Sequence, residues 1–154
     1  GIPHIKLPIP NPTFQPRMGT GYFLGAFLQV LMNQGMLPDI REEIMAAATR
    51  YGEKRLEIEE KGKKLALWLA KTTPIVYSGE SYKSVALVWK IKLNENAKTP
   101  AFYNVFPELN HNEMVGWTLP QGRFSALFLR DLADHPRARG RRSTTRRLAP
   151  HPRA

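Results

Sequence analysis

Apolar and polar positions alternate from Gly1 to Ile9, with β-branched residues among them. That period predicts a short strand. Pro8, Pro10, Pro12 and Pro16 follow, and proline removes the amide donors a ladder needs, so this stretch is a connector. Pro16-Arg17 then opens a run that stays apolar to about Gln34, where Gly35 ends it. A helix this apolar on every side is expected to be buried on several of them. Pro38-Asp39 predicts a second helix to about Tyr51, with Asp39 as N-cap and Glu42 at capping-box spacing. A third helix, Glu53 to Lys71, is charged and then apolar, with Leu65, Trp68 and Leu69 on one face.

Beyond Lys71 the period changes. Thr73 to Tyr77 reads as a short buried strand, and Ser78-Gly79-Glu80-Ser81 as a tight polar turn. A helix with Val85, Val88 and Trp89 on one face follows. Phe102 to Phe106 and Phe124 to Leu129 are further strands, with a short helix expected within Glu108 to Gly116. Alternating strands and helices predict an α/β fold, a mostly parallel sheet flanked by helices. Ligands of such sheets sit at the carboxyl ends of strands, where Ser78, Gly79 and Ser81 lie. Their backbone N–H groups at a helix start would suit an anion, which makes Ser78, Gly79 and Ser81 candidate substrate-binding residues. The same turn also suits a plain helix cap.

Composition adds a few limits. The chain has 154 residues and no cysteine, which excludes disulfides and thiolate metal sites and leans towards a reducing compartment or a hot organism. It begins on glycine with no signal-peptide pattern, so the start reads as the interior of a longer protein. The longest apolar stretch, Met18 to Met32, carries Gln29 and falls short of the roughly 20 apolar residues of a spanning helix. The net charge of +10 is uneven: seven arginines and no acid lie beyond His135, leaving 16 basic and 13 acidic residues before it. An Arg-rich tail binds any polyanion weakly and in a salt-dependent manner. The body has no basic helix and no aromatic–basic interleaving, so no specific nucleic-acid partner is expected.

Two polar segments between apolar elements can carry chemistry: Leu93-Asn94-Glu95-Asn96-Ala97-Lys98 and Glu108-Leu109-Asn110-His111-Asn112-Glu113. Glu95, His111 and Glu113 can all move protons. An aldose–ketose isomerisation needs a carboxylate that takes a proton from one carbon and returns it to its neighbour. It also needs a group that opens the ring, and a cation near the enediolate oxygen. Spacing alone equally fits solvated surface groups and a turn histidine. It gives no metal site, since His111 and Glu113 have no further internal histidine to join them.

Trp89-Lys90, Leu93 to Lys98 and Pro100 to Glu113 together resemble the bifunctional phosphoglucose/phosphomannose isomerases of archaea and bacteria. The second sugar-isomerase (SIS) domain of that family carries a stretch of the form W-K…NEN-K-P-AF…PELNHNE-G. The likeness runs on through Arg123-Phe124 and Leu127 to Asp131, and Pro16-Arg17 is similar to the family's interdomain linker. The resemblance implies an SIS-type three-layer fold. It makes residues 1–36 the linker strand and apolar helix, 37–135 a partial second SIS domain, and 136–154 an Arg-rich tail. It implies Glu95 as the base shuttling a proton between C1 and C2. His111 would assist ring opening across a homodimer interface, Arg17 would lie near the enediolate, and Glu113 would orient the histidine loop. The implied substrates are glucose 6-phosphate, mannose 6-phosphate and fructose 6-phosphate, with no metal or other cofactor, in the cytoplasm.

The sequence also departs from that family. The first SIS domain, whose Ser/Thr loops hold the phosphate, has no counterpart, nor has the C-terminal helix with its lysine and threonine near the sugar. The Arg/Pro/Thr run to Ala154 stands in place of that helix, without apolar periodicity. It reads as a frame-shifted or otherwise non-native segment, or as a solvated basic tail, and both predict disorder. Losing a phosphate grip and a cation would each cost orders of magnitude in rate, so a weak or inactive isomerase is expected of the chain alone. The alternative is a non-catalytic SIS module that binds sugar phosphates.

Overall fold

The computed structural model describes residues 1–119 and 121–131. The Arg-rich segment at 136–154 lies outside them. The chain divides into two compact units, 1–61 and from Gly62 onward. That division falls well after the 36/37 boundary implied by the resemblance.

The first unit holds a 3-10 turn at Pro16–Met18, helix α1 (Thr20–Asn33) and helix α2 (Arg41–Glu53). Gly1 to Ile9 forms no strand. Its prolines withhold donors, and among the described residues its own unit holds no strand to pair with. Gly35, at φ +67°, ends α1 as expected. The Gly35 N–H donates to Met32 O and the Met36 N–H to Leu31 O, a Schellman closure that needs the left-handed backbone of glycine. The expected burial of α1 is not found: none of its residues is buried, with Phe23 58% and Phe27 61% exposed. An apolar helix is buried only where enough neighbouring surface exists, and the short elements of its own unit supply little. Asp39 lies one residue ahead of the observed cap, Ile40; its Oδ1 accepts the Arg41 N–H at 3.1 Å.

Helix α3 (Arg55–Leu69) leads into the second unit, where Thr73–Ser78 forms β1, Lys83–Glu95 α4, Phe102–Val105 β2, Glu113–Gly116 α5 and Phe124–Phe128 β3. The three strands form one parallel sheet in the order β2-β1-β3. Ile75 lies beside Phe102 and Ala126, and Tyr77 beside Asn104 and Phe128. The α/β class expected from the alternating pattern is thus the one observed. β1 is central, and four of its six residues are buried, as the middle strand of a parallel sheet must be. Helix α4 packs on β1 and β2.

The other face carries the core cluster of Tyr77, Phe106, Leu109 and Trp117, with Ile75, Phe124, Ala126 and Phe128 against it. The rings meet edge-on or tilted, Tyr77–Phe128 at 5.5 Å and Trp117–Phe124 at 5.4 Å, the arrangement aromatic quadrupoles favour. At the sheet's amino end, Thr72 Oγ1 lies 2.8 Å from both Leu69 O and Ser125 Oγ. A hydroxyl has one proton, so Thr72 donates to the carbonyl and accepts from Ser125, which satisfies both buried groups.

Candidate functional site

Parallel pairing fixes where each candidate residue sits. α4 carries the chain from the carboxyl end of β1 back to the amino end of β2, so it runs against the strands. Ser78 ends β1, and Gly79 and Ser81 follow it into the start of α4, so all three lie at the carboxyl edge. His111 follows β2, beyond Phe106-Pro107 and a 3-10 turn at Glu108–Asn110, so it belongs to the same edge. Glu95 is the last residue of α4 and therefore lies at the opposite, amino edge. A helix of 13 residues is about 20 Å long. Within one chain, then, Glu95 and His111 do not share a site, nor does Glu95 share one with the Ser78–Ser81 turn. Arg17 belongs to the first unit, in its 3-10 turn.

The turn at Ser78 is only partly arranged for an anion. The Ser78 Oγ is fully buried and has no hydrogen-bond partner among the described residues. Gly79 is buried as well. The exposed Ser81 hydroxyl, however, donates to Asp131 Oδ2 at 3.1 Å, and Glu80 adds a second carboxylate, paired with Lys83 at 3.3 Å. Among the described residues, no three His, Cys, Asp or Glu side chains gather where they could hold a metal ion.

Around His111 the geometry is tighter. His111 is exposed, yet Leu109 two residues before it is fully buried and Glu113 two residues after it is hydrogen-bonded through both oxygens. Tyr77 Oη donates to Glu113 Oε2 at 2.7 Å, and Asn104 Nδ2 donates to Oε1 at 2.5 Å. Trp117 Nε1 donates to Tyr77 Oη at 3.1 Å. Sequence reading placed Glu113 near the histidine but missed Tyr77, Asn104 and Trp117. The one local signal was an asparagine inside the apolar run of β2. Beside Glu113 opens a cleft of about 510 Å³, walled by Ile75, Phe102, Trp117 and Phe124.

Burial, and then the Glu113 carboxylate beside it, push the Tyr77 phenol well above the usual tyrosine value. The fold therefore prefers the neutral phenol. Stability is full below the unfolded value of about 10. It falls as pH rises above that, by about 1.4 kcal/mol per pH unit, until the folded phenol itself ionises. Urea midpoints taken at about pH 9 and about pH 11 are expected to show this loss in the parent and not in Tyr77→Phe. Equal slopes in the two proteins would contradict it.

Among the described residues, no helix is long and apolar enough to cross a membrane. No solved structure matches the chain. Among curated proteins, a bifunctional phosphoglucose/phosphomannose isomerase of Aquifex aeolicus is 33% identical over 138 residues, 88% of this chain and 41% of the relative. One from Caldicellulosiruptor bescii is 34% identical over 146 residues, 87% of this chain and 43% of the relative. A D-glucosamine-6-phosphate 4-epimerase of Sulfolobus acidocaldarius is 35% identical over 65 residues, 42% of this chain and 21% of the relative. The chain thus spans about two-fifths of the length of the two isomerases. Residues 58–152 match the family described as the bacterial phospho-glucose isomerase C-terminal SIS domain, and the match takes in most of the segment that read as foreign to the fold. With a parallel α/β sheet and a family match across more than half its length, the chain belongs to the bacterial phospho-glucose isomerase C-terminal SIS-domain family.

Proposed function

We infer that this chain serves a sugar-phosphate aldose–ketose isomerase, interconverting glucose 6-phosphate or mannose 6-phosphate with fructose 6-phosphate. Glu95 is its base and His111 its ring-opening group. The observation that carries the reading is the opposed placement of these two residues. A carboxylate at the end of α4 and an imidazole beyond β2 lie on opposite edges of one sheet, so a hexose phosphate can meet both only if they come from different copies. The reading therefore includes a homodimer with composite sites. Glu95 transfers the proton between C1 and C2 through an enediolate, and Arg17 lies near the enediolate oxygen. In this reading Ser78, Gly79 and Ser81 touch the substrate of the neighbouring site, on the His111 edge. The protein works in the cytoplasm, on carbohydrate phosphates, without a metal or other cofactor.

Complementation tests this reading. Glu95→Gln and His111→Ala chains are each expected to be inactive in a coupled assay of fructose 6-phosphate to glucose 6-phosphate. Refolded together in equal amounts, they are expected to recover about a quarter of parental activity, because half the dimers are mixed and each has one intact site. Parental activity without recovery on mixing would refute the composite site.

The span of two-fifths of the relatives favours a second reading, in which one chain binds sugar phosphates without turning them over. A thermal shift with fructose 6-phosphate but no turnover above the Glu95→Gln background would replace the catalytic reading with this one.

A further inference from the structure

The hydrogen bonds around Glu113 have a direction that the individual distances do not reveal. Asn104 Oδ1 accepts the Val105 N–H at 2.8 Å, which fixes the amide and leaves Nδ2 to donate to Glu113 Oε1. On the other side, Tyr77 Oη accepts the Trp117 indole N–H, so its own proton goes to Glu113 Oε2. Two chains of donors, one from Asn104 of β2 and one from Trp117 through Tyr77 of β1, thus converge on a carboxylate that can only accept. Glu113 is the first residue of α5, and Leu109, fully buried, holds the preceding 3-10 turn. The exposed His111 is carried between these two fixed points, its own N–H donating to Glu108 O at 2.9 Å.

We propose that Glu113, clamped by Tyr77 and Asn104, is a positioning residue that presents the His111 imidazole outward in one orientation. The inference deepens the isomerase reading and rests on it for its catalytic meaning. The clamp itself stands on geometry and is measured without activity. Its energetic sense is that of a polar network in a half-buried setting: fully matched it rigidifies, and one mismatched donor undoes it.

The donor pattern supplies the test. Glu113→Gln keeps size but offers one acceptor and one donor. Turned one way, its amide N–H₂ meets the Asn104 N–H₂; turned the other, the Tyr77 proton loses its acceptor. Either way a donor is stranded. Adding Asn104→Asp restores a complementary set. The new carboxylate at position 104 accepts both the Val105 N–H and the amide at 113, while the carbonyl at 113 accepts from Tyr77. In the full chain, Glu113→Gln is expected to speed amide hydrogen exchange across residues 108–113 by about tenfold and to broaden the His111 imidazole NMR signal. Exchange in β1 should stay as it is. The double variant is expected to return both readouts to parental values, although the negative charge now stands at another position.

An unchanged turn in Glu113→Gln would overturn the proposal. So would a double variant that stays loose, since the pairing with Asn104 would then not be what holds the turn. Should the single variant unfold, the double variant alone decides on the same two readouts. If the chain has no isomerase activity, the isomerase reading falls while exchange still tests the clamp. If it has activity, turnover that follows the NMR signal through loss and recovery marks a positioning role. Turnover that stays lost in the repaired double variant would instead make the charge at position 113 itself essential.

Discussion

Glu95→Gln is expected to slow fructose 6-phosphate isomerisation by about 10²- to 10⁴-fold, the usual contribution of a positioned acid–base group, while stability stays level or rises by up to about 1 kcal/mol. Both halves of that expectation come from where Glu95 stands. It is exposed and ends α4, where the helix dipole presents its negative end. A carboxylate there is disfavoured by roughly 0.3–1 kcal/mol. The fold thus gains nothing from its charge, and the isosteric amide removes only the ability to carry a proton. A proton taken from C1 of fructose 6-phosphate and returned to C2 needs such a carrier, and the amide is none. The coupled assay, run beside a urea titration of the same two proteins, decides the matter. Equal rates in parent and variant would remove Glu95 from the mechanism, and a large loss of stability would mean that its role is structural.

Leu109→Ala has the largest expected effect on the fold. Leu109 is 0% exposed and sits in the cluster of Tyr77, Phe106 and Trp117. Emptying such a site costs the transfer free energy of the lost atoms and that of the cavity left behind, about 2–5 kcal/mol in total. Collapse into the space is hindered because two sides are rigid, with β1 and β2 held in one register and the aromatic rings packed edge to face. Leu119→Ala, whose side chain is 85% exposed, is the control, expected within about 0.5 kcal/mol of the parent. Urea unfolding of the two variants measures the difference. Similar losses would mean that the cluster is not the core of this unit. The loss in Leu109→Ala is also expected to free the turn carrying His111, since this side chain is the anchor that precedes it.

Much of the fold was legible in sequence. Thr73 to Tyr77, Phe102 to Phe106 and Phe124 to Leu129 are short apolar runs bounded by polar turns, and each is a strand. Gly35 and the apolar run before it marked the end of α1 to within a residue or two. These signals are local: side-chain period and the few residues that tolerate a left-handed backbone. Where the same rules failed, a neighbour was needed. The alternation of Gly1 to Ile9 had no partner strand among the described residues of its own unit, and the apolar circumference of α1 found too little surface there to cover it.

The candidate site divides in the same way. The sequence by itself determined that Glu95, His111 and Glu113 carry groups able to move protons, and that Ser78 to Ser81 close a strand, because residue type and turn chemistry are written locally. Only the tertiary structure decided that Glu95 and His111 face opposite edges. That follows from α4 running against a parallel sheet, and parallel pairing joins strands separated by a whole helix. The tertiary structure alone also brought Tyr77 of β1 and Asn104 of β2 to Glu113. A hydrogen bond needs its partners about 3 Å apart in space, and no spacing along the chain records that distance.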